Sequence, residues 1–384
     1  MKRFPIILPC HFGLEAVLKR ELYDLGYETT RVEDGRITIE GDADAVCRTN
    51  IFLRTAERVL ICVGRFRAVT YDELFEAIKA CPWEEFIPAN GKFWVTKASS
   101  VNSKLFSPSD IQSIAKKAMV ERLKQHYDIE WFAEDGVAYP IRIFINKDEV
   151  TVCLDTTGDS LHKRGYRTQA GKAPISETLA AALIMLTPWY GDRVLVDPFC
   201  GSGTIAIEAA MIAANIAPGM NRKFTAMEWD NFIEPVLWDE NIEEARDNID
   251  YDVKTDIQAY DIDGQVIRIA KENAKRAGVD ELIHFQQREV KDLSHGGKYG
   301  FIISNPPYGE RLEEKDTLPA IYSAFGERFM ALDSWSAYLI TSYEDTEKYV
   351  GRKADKVRKI YNGMIKTGYY QFLGPKPPKR KKED

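Results

Sequence analysis

Residues 301–311 read FIISNPPYGER, an apolar run that stops at an Asn-Pro-Pro-Tyr tetrapeptide. The run from Phe301 to Ile303 predicts a buried strand. The two prolines end it, because proline cannot donate to a central strand ladder and holds the residue before it extended. Asn305 is therefore predicted at the carboxyl edge of a sheet, where open α/β sheets bind their ligands.

The tetrapeptide carries groups that suit a planar substrate with an amino group. The side-chain oxygen of Asn305 and the carbonyl oxygen of Pro306 can each accept a hydrogen bond from an amine N–H. Pro307 keeps the backbone extended, and Tyr308 offers a flat ring for stacking. A loop that merely ends a strand with two prolines is the simpler alternative, and a cofactor site upstream weighs against it.

That upstream site is a strand, turn and helix between residues 193 and 216. Arg193 to Asp197 predicts a buried strand, residues 198–204 (PFCGSGT) predict a glycine-rich turn, and Ile205 begins a predicted helix. Small residues let a ligand approach the backbone, and the helix N-terminus supplies free N–H groups. Neither a phosphate-loop lysine nor the third glycine of a dinucleotide motif follows, so the pattern favours S-adenosylmethionine.

Two further strands end in carboxylates. The strand 257–263 carries Asp261, the first choice for accepting hydrogen bonds from both ribose hydroxyls, with Asp263 as the alternative. In the predicted strand 283–290, Glu289 can accept a hydrogen bond from an adenine amino group.

Composition indicates an ordinary soluble protein of two or three domains. The chain has 384 residues, of which 45% are hydrophobic, and no apolar run is long enough to cross a membrane. Six scattered cysteines without a C-x-x-C pair predict a reduced, cytoplasmic setting with neither disulfides nor a metal site. A net charge of −7 argues against a general nucleic-acid coat but allows a local basic surface.

The N-terminal half predicts two small α+β units. In the first, a helix after Gly13 precedes a hairpin whose turn is Asp34-Gly35. In the second, a helix that begins at Pro108 precedes a hairpin over residues 141–154. Residues 226–252 form an acidic helical segment that we interpret as a structural or peripheral insertion.

Two basic stretches are candidates for contact with nucleic acid. One is the polar side of the helix that begins at Pro108, and the other is the loop 161–167. Cations around an aromatic ring suit phosphate contact combined with base stacking. A solvated helix face and a charged linker between domains are the alternatives. The predicted RNA-binding residues are Lys116, Lys117, Lys163, Arg164, Tyr166 and Arg167.

In this order, residues 197–204 (DPFCGSGT), 261–263 (DID) and 305–311 (NPPYGER) resemble the class I S-adenosylmethionine-dependent methyltransferases that act on amino groups. The N-terminal half looks like a ferredoxin-like segment followed by a THUMP domain. The whole chain is similar to the bacterial THUMP-containing rRNA guanine-N2 methyltransferases of the RlmL type, often labelled N6-adenine-specific DNA methylases. The methyltransferase motifs are specific as a set, whereas the THUMP match is weaker.

The resemblance implies an α/β fold with a Rossmann-like, seven-stranded and mostly parallel C-terminal sheet. It implies a ferredoxin-like segment at residues 1–65, a THUMP domain at 66–165, a methyltransferase domain at 166–375 and a basic tail at 376–384. The distance from the glycine turn to Asp261 exceeds a minimal βαβ unit, so the acidic insertion must loop out.

The resemblance also implies the chemistry. The cofactor is S-adenosyl-L-methionine, and the substrate is the N2 amine of a guanine in 23S rRNA or a pre-ribosomal particle. The enzyme is expected to be a monomer without metal. The implied catalytic residues are Asn305, Pro306, Pro307 and Tyr308. The implied cofactor-binding residues are Pro174, Glu177, Thr178, Asp197, Cys200, Gly201, Gly203, Thr204, Asp261, Ile262, Glu289, Val290 and Asn305.

The sequence leaves other functions open. An N6-adenine methyltransferase acting on DNA or RNA would use the same tetrapeptide, as would a protein glutamine methyltransferase. The RNA-binding character of the N-terminal half disfavours the DNA and protein substrates. A non-catalytic RNA-binding protein with a decayed methyltransferase fold is disfavoured because the turn glycines, Asp261 and the tetrapeptide are all present.

Overall fold

The computed structural model describes residues 2–167, 175–309 and 316–378, which form two compact units. Unit 1 contains the described residues of Met1–Cys10, Leu18–Leu161 and Gly219–Ala245. Unit 2 contains the described residues of His11–Val17, His162–Pro218 and Arg246–Asp384.

The described residues form 14 strands and 10 α-helices. The strands are β1 (Phe4–Pro9), β2 (Thr29–Glu33), β3 (Arg36–Gly41), β4 (Leu60–Arg67), β5 (Lys92–Val101), β6 (Ala138–Asn146), β7 (Glu149–Asp155), β8 (Leu195–Asp197), β9 (Ile257–Asp261), β10 (Ile283–Gln287), β11 (Phe301–Ser304), β12 (Ser336–Thr341), β13 (Lys356–Asn362) and β14 (Ile365–Phe372). The α-helices are α1 (Glu15–Asp24), α2 (Ala43–Phe52), α3 (Tyr71–Lys79), α4 (Pro108–Tyr127), α5 (Glu177–Met185), α6 (Thr204–Ala213), α7 (Pro235–Asp247), α8 (Gly264–Ala277), α9 (Leu318–Ala331) and α10 (Thr346–Val350). None of these helices has the length and apolarity needed to span a membrane.

Unit 1 is built on one seven-stranded sheet of order β2-β3-β1-β4-β7-β6-β5. The hairpin predicted at Asp34-Gly35 is confirmed, because β2 and β3 pair antiparallel around it and Gly35 has a φ of +73°. Strand β4 pairs with both β1 and β7. The predicted boundary between residues 65 and 66 falls inside β4, so the sheet does not divide the N-terminal half at that point.

The insertion between the glycine turn and β9 contributes to the core of unit 1. Residues 219–245 belong to this unit. Within them, the Trp229 indole is fully buried, donates a hydrogen bond to the Ala138 carbonyl at 2.8 Å and stacks on Tyr139 at 4.9 Å between ring centroids. This part of the chain is therefore structural, and it does loop out of the unit that holds the site.

Unit 2 is built on a seven-stranded sheet of order β10-β9-β8-β11-β12-β14-β13. Its first five strands pair parallel, which confirms the predicted mostly parallel sheet. Strand β14 is antiparallel to both of its neighbours and forms a hairpin with the edge strand β13. Alternate residues feed two cores: Ile303 and Tyr338 pack with α5, α6 and α8, whereas Ile302 and Leu339 pack with α9. Burial on both faces explains why β11 has no polar residue before Ser304.

Candidate active site

The carboxyl ends of three adjacent parallel strands bring polar residues to one edge of the unit 2 sheet. β8 ends at Asp197, β9 at Asp261 and β11 at Ser304, directly before Asn305. The Ser304 hydroxyl donates a hydrogen bond to Asp197 Oδ1 and so ties the ends of β11 and β8 together. Residues more than one hundred positions apart in sequence thus meet where the topology of an open α/β sheet predicts a ligand.

Asp197 is a buried carboxyl group with a strongly shifted pKa. Burial raises the pKa to about 7, and the neighbouring charge of Asp261 also raises it. Hydrogen bonds from the Ser304 hydroxyl and the Phe199 backbone N–H act in the opposite direction. This group therefore changes its charge near neutral pH, and burial also raises the pKa of the adjacent Cys200 thiol.

The two glycines of the turn have different roles. Gly203 precedes α6 with a φ of +86°, and a Cβ there would lie 3.1 Å from the Ala270 Cβ, so close packing requires glycine. Gly201 has a φ of +52°, and a Cβ there would meet no described atom within 4 Å. Gly201 therefore leaves open space beside the start of α6, where backbone can approach a ligand. Thr204 is buried as the first residue of that helix.

Asp261 is held with both carboxylate oxygens engaged. Oδ2 accepts a hydrogen bond from the Gly201 N–H and Oδ1 accepts one from the Asp263 N–H, each at 3.0 Å. Each oxygen keeps a further lone pair, so the carboxylate can still accept from two hydroxyl groups. Asp263 is a poorer choice for the ribose because its own side chain caps α8 through the Gln265 N–H at 2.8 Å. Between them, Ile262 is 65% exposed.

The structure places Glu289 differently from the sequence-based expectation. β10 ends at Gln287, so the prediction of a strand to residue 290 is wrong. Glu289 Oε2 lies 2.5 Å from Lys291 Nζ; the Lys291 side chain is mostly exposed and the Glu289 side chain is half-buried. An adenine amino group would have to compete with this ion pair. Val290 is half-buried and packs against the core of α9, so its role at the adenine stays a prediction.

The Asn305 side chain contains the most informative atom of the site. Its Oδ1 is buried, and the described residues offer it no hydrogen-bond donor. Leaving a buried acceptor unsatisfied costs about 1–3 kcal/mol, so such atoms in folded proteins call for a specific explanation. A ligand N–H that reaches this edge would supply the missing donor.

The rest of the tetrapeptide is fixed from two sides. The Pro307 carbonyl accepts a hydrogen bond from the Tyr322 hydroxyl at 3.1 Å. Pro306, between Pro307 and Asn305, is buried. The Tyr308 hydroxyl accepts a hydrogen bond from Asn362 Nδ2 at 3.1 Å. Tyr308 itself is half-buried, so part of its ring is accessible for stacking.

The N-terminus of α5 carries the other predicted cofactor residues. Ser176 caps this helix and shares a hydrogen bond of 3.1 Å with His11 Nε2, and the buried Thr178 lies within 3.5 Å of the same nitrogen. Glu177 is buried and pairs with Arg167 at 2.9 Å, and burial raises the pKa of its carboxyl group. Pro174 lies outside the described residues.

Most of the predicted RNA-binding residues turn inward. Arg164 pairs with the buried Glu208 at 3.4 Å, and the buried Tyr166 donates a hydrogen bond to the same carboxylate at 3.1 Å. The prediction that these two side chains contact RNA is therefore wrong, because neither reaches solvent. Arg167 is half-buried, and its guanidinium pairs with the Glu177 carboxylate and donates a hydrogen bond to the Ile175 carbonyl.

The helix candidates divide in the same way. Lys116 bonds to Glu134 and to the Phe93 carbonyl, and its Nζ lies 3.6 Å from the Phe93 ring centroid, so its charge is neutralised within unit 1. Lys117 and Lys163 are exposed, and their contact with RNA stays a prediction. The sequence of the helix alone does not show which of its lysines pairs with another residue of unit 1.

Several residues that shape the site escaped the sequence analysis. Ser304 stands at the end of the predicted strand, and neither Tyr322 nor His11 belongs to a motif. The only available signal was position: Ser304 lies directly before Asn305, and Asn362 lies in an Asn-Gly turn. Their contacts with the site depend on tertiary structure.

Comparison with known families agrees with this geometry. Residues 164–371 match the model described as "RMKL-like, methyltransferase domain", which covers more than half of the chain. Residues 5–60 match the "RlmL ferredoxin-like domain" and residues 68–155 match the "THUMP domain". The resemblance stated from the motifs is thereby confirmed.

Individual relatives extend over the whole chain. "Putative RNA methyltransferase YpsC" of Bacillus subtilis (strain 168) is 49% identical over 386 residues and covers 100% of both chains. "Ribosomal RNA large subunit methyltransferase K/L" of Syntrophotalea carbinolica is 34% identical over 94% of this chain and 52% of its own length. The present chain thus spans about half the length of that relative.

A solved structure connects the site to its cofactor. The crystal structure of "SMU.472, a putative methyltransferase complexed with SAH" is 42% identical, has a TM-score of 0.93 and covers 98% of this chain and 100% of its own. SAH is the cofactor product that remains after methyl transfer. Together with the family match, this structure shows S-adenosyl-L-methionine as the cofactor.

Proposed function

The chain belongs to the RMKL-like methyltransferase family, and we propose that it methylates the exocyclic N2 amine of a guanine in 23S rRNA. The observation that carries the reaction type is the buried Asn305 Oδ1 without a donor among the described residues, since an exocyclic amine supplies such a donor. The THUMP match and the K/L relatives support ribosomal RNA as the polymer.

The residues of the sheet edge fit S-adenosylmethionine. Gly201 leaves room at the start of α6, and Asp261 retains an acceptor lone pair on each oxygen for the two ribose hydroxyls. The exposed Ile262 offers an apolar surface to the adenine, and Asp197 offers a carboxyl group to the cationic methionine end. When bound, the cofactor supplies an electrophilic methyl group on its sulfonium.

The chain's own residues would activate and hold the amine. The Asn305 side-chain oxygen and the Pro306 carbonyl accept its two N–H groups and so favour a tetrahedral nitrogen, whose lone pair is no longer delocalised into the ring. Tyr308 stacks on the flipped base, which contributes about 1–3 kcal/mol. Fixing the nitrogen in line with the methyl group supplies a proximity term that reaches roughly 7–11 kcal/mol.

A second candidate is methylation of adenine N6. The same acceptors at Asn305 and Pro306 would hold any planar exocyclic amine, so the described geometry of the tetrapeptide does not select guanine. The THUMP match favours RNA over DNA as the polymer for this candidate as well.

The deciding experiment combines the purified protein with methyl-labelled S-adenosylmethionine and large-subunit rRNA from a strain that lacks the gene. Duplex DNA is tested in parallel, and the labelled nucleoside is identified after digestion. Label in N2-methylguanosine from rRNA is the expected result. Label in N6-methyladenosine would contradict the guanine assignment, and label only in DNA would contradict the polymer.

A further inference from the structure

The hairpin formed by β13 and β14 is a concentrated positive region in an acidic protein. Residues 356–372 read KVRKIYNGMIKTGYYQF, with four cations and no Asp or Glu, whereas the whole chain has a net charge of −7. Lys356 and Lys359 are exposed on the edge strand β13, and Lys366 is exposed on β14 opposite Tyr361. This density of positive charge matches the phosphate backbone of a nucleic acid.

Two partly exposed aromatic rings accompany these cations. The Tyr361 and Phe12 rings meet edge to face with centroids 6.0 Å apart, and Phe12 is 45% exposed. Lys359 Nζ lies 5.3 Å from the Tyr361 ring centroid. An aromatic platform beside cations suits base stacking next to phosphate contact.

The loop that carries Phe12 contacts the same strand. The Arg358 Nη1 atom lies 3.5 Å from the carbonyl oxygen of Gly13, the residue after Phe12. Gly13 has a φ of +88°, and a Cβ there would lie 3.2 Å from the Lys359 carbonyl oxygen. Glycine at this position therefore allows the loop that carries Phe12 to approach β13 closely.

The hairpin is also connected to the candidate active site. Asn362, the residue after Tyr361, donates the hydrogen bond of 3.1 Å to the Tyr308 hydroxyl. Tyr361 and Asn362 are successive residues of β13, so their side chains point to opposite faces of the hairpin. The hydrogen bond from Asn362 therefore ties the end of the hairpin to Tyr308, while the aromatic platform lies on the other face of the same strand.

We propose that the β13–β14 hairpin binds the single-stranded RNA that flanks the target nucleotide. Lys356, Lys359 and Lys366 contact its phosphates, and Tyr361 with Phe12 stacks on a base next to the target. The inference rests on the proposed function for the choice of RNA as polymer, but it does not depend on which amine is methylated.

Lysines on an edge strand also have a simpler structural use, since they prevent edge-to-edge pairing between molecules. That use accounts for Lys356 and Lys359. It does not account for the Phe12–Tyr361 platform or for the hydrogen bond from Asn362 to Tyr308. The two explanations differ in what they predict for RNA affinity.

The test measures the affinity of the full chain, loaded with S-adenosylhomocysteine, for a mixed-sequence single-stranded RNA of about 16 nucleotides, the upper site size of compact binding modules. Tyr361→Ala should weaken binding roughly 5- to 100-fold, because base stacking on an aromatic ring is lost, and Tyr361→Phe should bind as the parent does. Equal affinity of the alanine variant and the parent would overturn the stacking platform.

The phosphate contacts are tested by salt dependence. Replacing Lys356, Lys359 and Lys366 together by alanine should reduce the slope of log affinity against log salt by about 2, since each phosphate contact contributes roughly 0.7. Lys271→Ala, an exposed lysine on α8, is the matched control and should change the slope by less than about 0.7. An unchanged slope in the triple variant would contradict the proposal.

Two further readouts separate this inference from the proposed function. Binding of S-adenosylhomocysteine should be unchanged in Tyr361→Phe and in the triple lysine variant, which shows that the sheet edge is intact. Label in a nucleoside other than N2-methylguanosine would defeat the proposed function while the loss of RNA binding in Tyr361→Ala still supports the hairpin. A parent protein that prefers duplex DNA of equal length would overturn RNA as the occupant.

Discussion

The carboxyl edge of the unit 2 sheet and the segment from Arg164 to Arg167 are both rich in polar residues, yet the structure uses them in opposite ways. At the edge, Asn305 Oδ1 is buried without a described donor. In the segment, Arg164 and Tyr166 are buried and both bond to Glu208. A buried polar atom without a partner at a strand end indicates a binding or catalytic role. Polar groups that bond to one another inside the core indicate a role in stabilising the fold.

The largest effect is expected from breaking the buried network. Glu208→Ala removes the buried carboxylate that pairs with Arg164, and removing one member of a buried ion pair typically costs about 3–5 kcal/mol of the free energy of unfolding. Urea denaturation measures this loss. Glu289→Ala, which removes the surface pair with Lys291, serves as the matched control and should cost about 1 kcal/mol or less.

The next largest effect is expected at the sheet edge. Asn305→Ala should reduce the single-turnover methyl-transfer rate roughly 100- to 1,000-fold, the range found when one preorganised hydrogen-bonding group is removed from an active site. Asn305→Asp keeps an acceptor oxygen and should retain more activity than the alanine variant. A rate for Asn305→Ala within a few-fold of the parent would remove this side chain from the mechanism.

A smaller effect on cofactor affinity should distinguish the two aspartates after β9. Asp261→Asn removes the charge and one acceptor oxygen, so the Kd for S-adenosylmethionine should rise roughly 10- to 100-fold, as for the loss of a charged hydrogen bond. Asp263→Asn is the control, because asparagine is an equally good helix cap. Titration calorimetry measures the Kd of both variants for S-adenosylmethionine. A larger rise in Kd for Asp263→Asn than for Asp261→Asn would contradict the assignment.

A separate prediction concerns Asp197 and the pH dependence of the free energy of unfolding. Its pKa is raised to about 7 in the folded protein and lies near 3.9 in an unfolded chain, so the folded state retains the proton between these values. Its contribution to stability is therefore complete below about pH 4 and is lost as the pH rises towards 7. Urea denaturation between these pH values should show that the free energy of unfolding falls more steeply with pH for the parent than for Asp197→Asn. Equal slopes for the two proteins would contradict the raised pKa of Asp197.

The sequence could predict the sheet edge because local rules determine it. Phe301 to Ser304 form a strand buried on both faces, and the prolines end it in the expected place. The glycine turn and Asp261 lie at strand ends for the same reason, and the parallel topology then brings them together. The motif order also identified the family.

The inward-facing residues could not be predicted, because their partners are distant in sequence. Arg164 and Glu208 are separated by 44 residues, and the pair forms only after α6 packs. Trp229 is buried against Tyr139, 90 positions earlier. Lys116 and Lys117 are neighbours with the same charge, and the contacts of Lys116 with Glu134 and Phe93 distinguish them.

The central claim is that the sheet edge serves the reaction and the buried network serves the fold. The most direct test measures two quantities, the free energy of unfolding and the single-turnover rate at saturating cofactor, on both Asn305→Ala and Glu208→Ala. We predict that Asn305→Ala loses rate but keeps its stability, and that Glu208→Ala loses stability but keeps its rate at a temperature where it is folded. If Asn305→Ala were destabilised and Glu208→Ala were stable but inactive, the two regions would have exchanged roles and the account would be wrong.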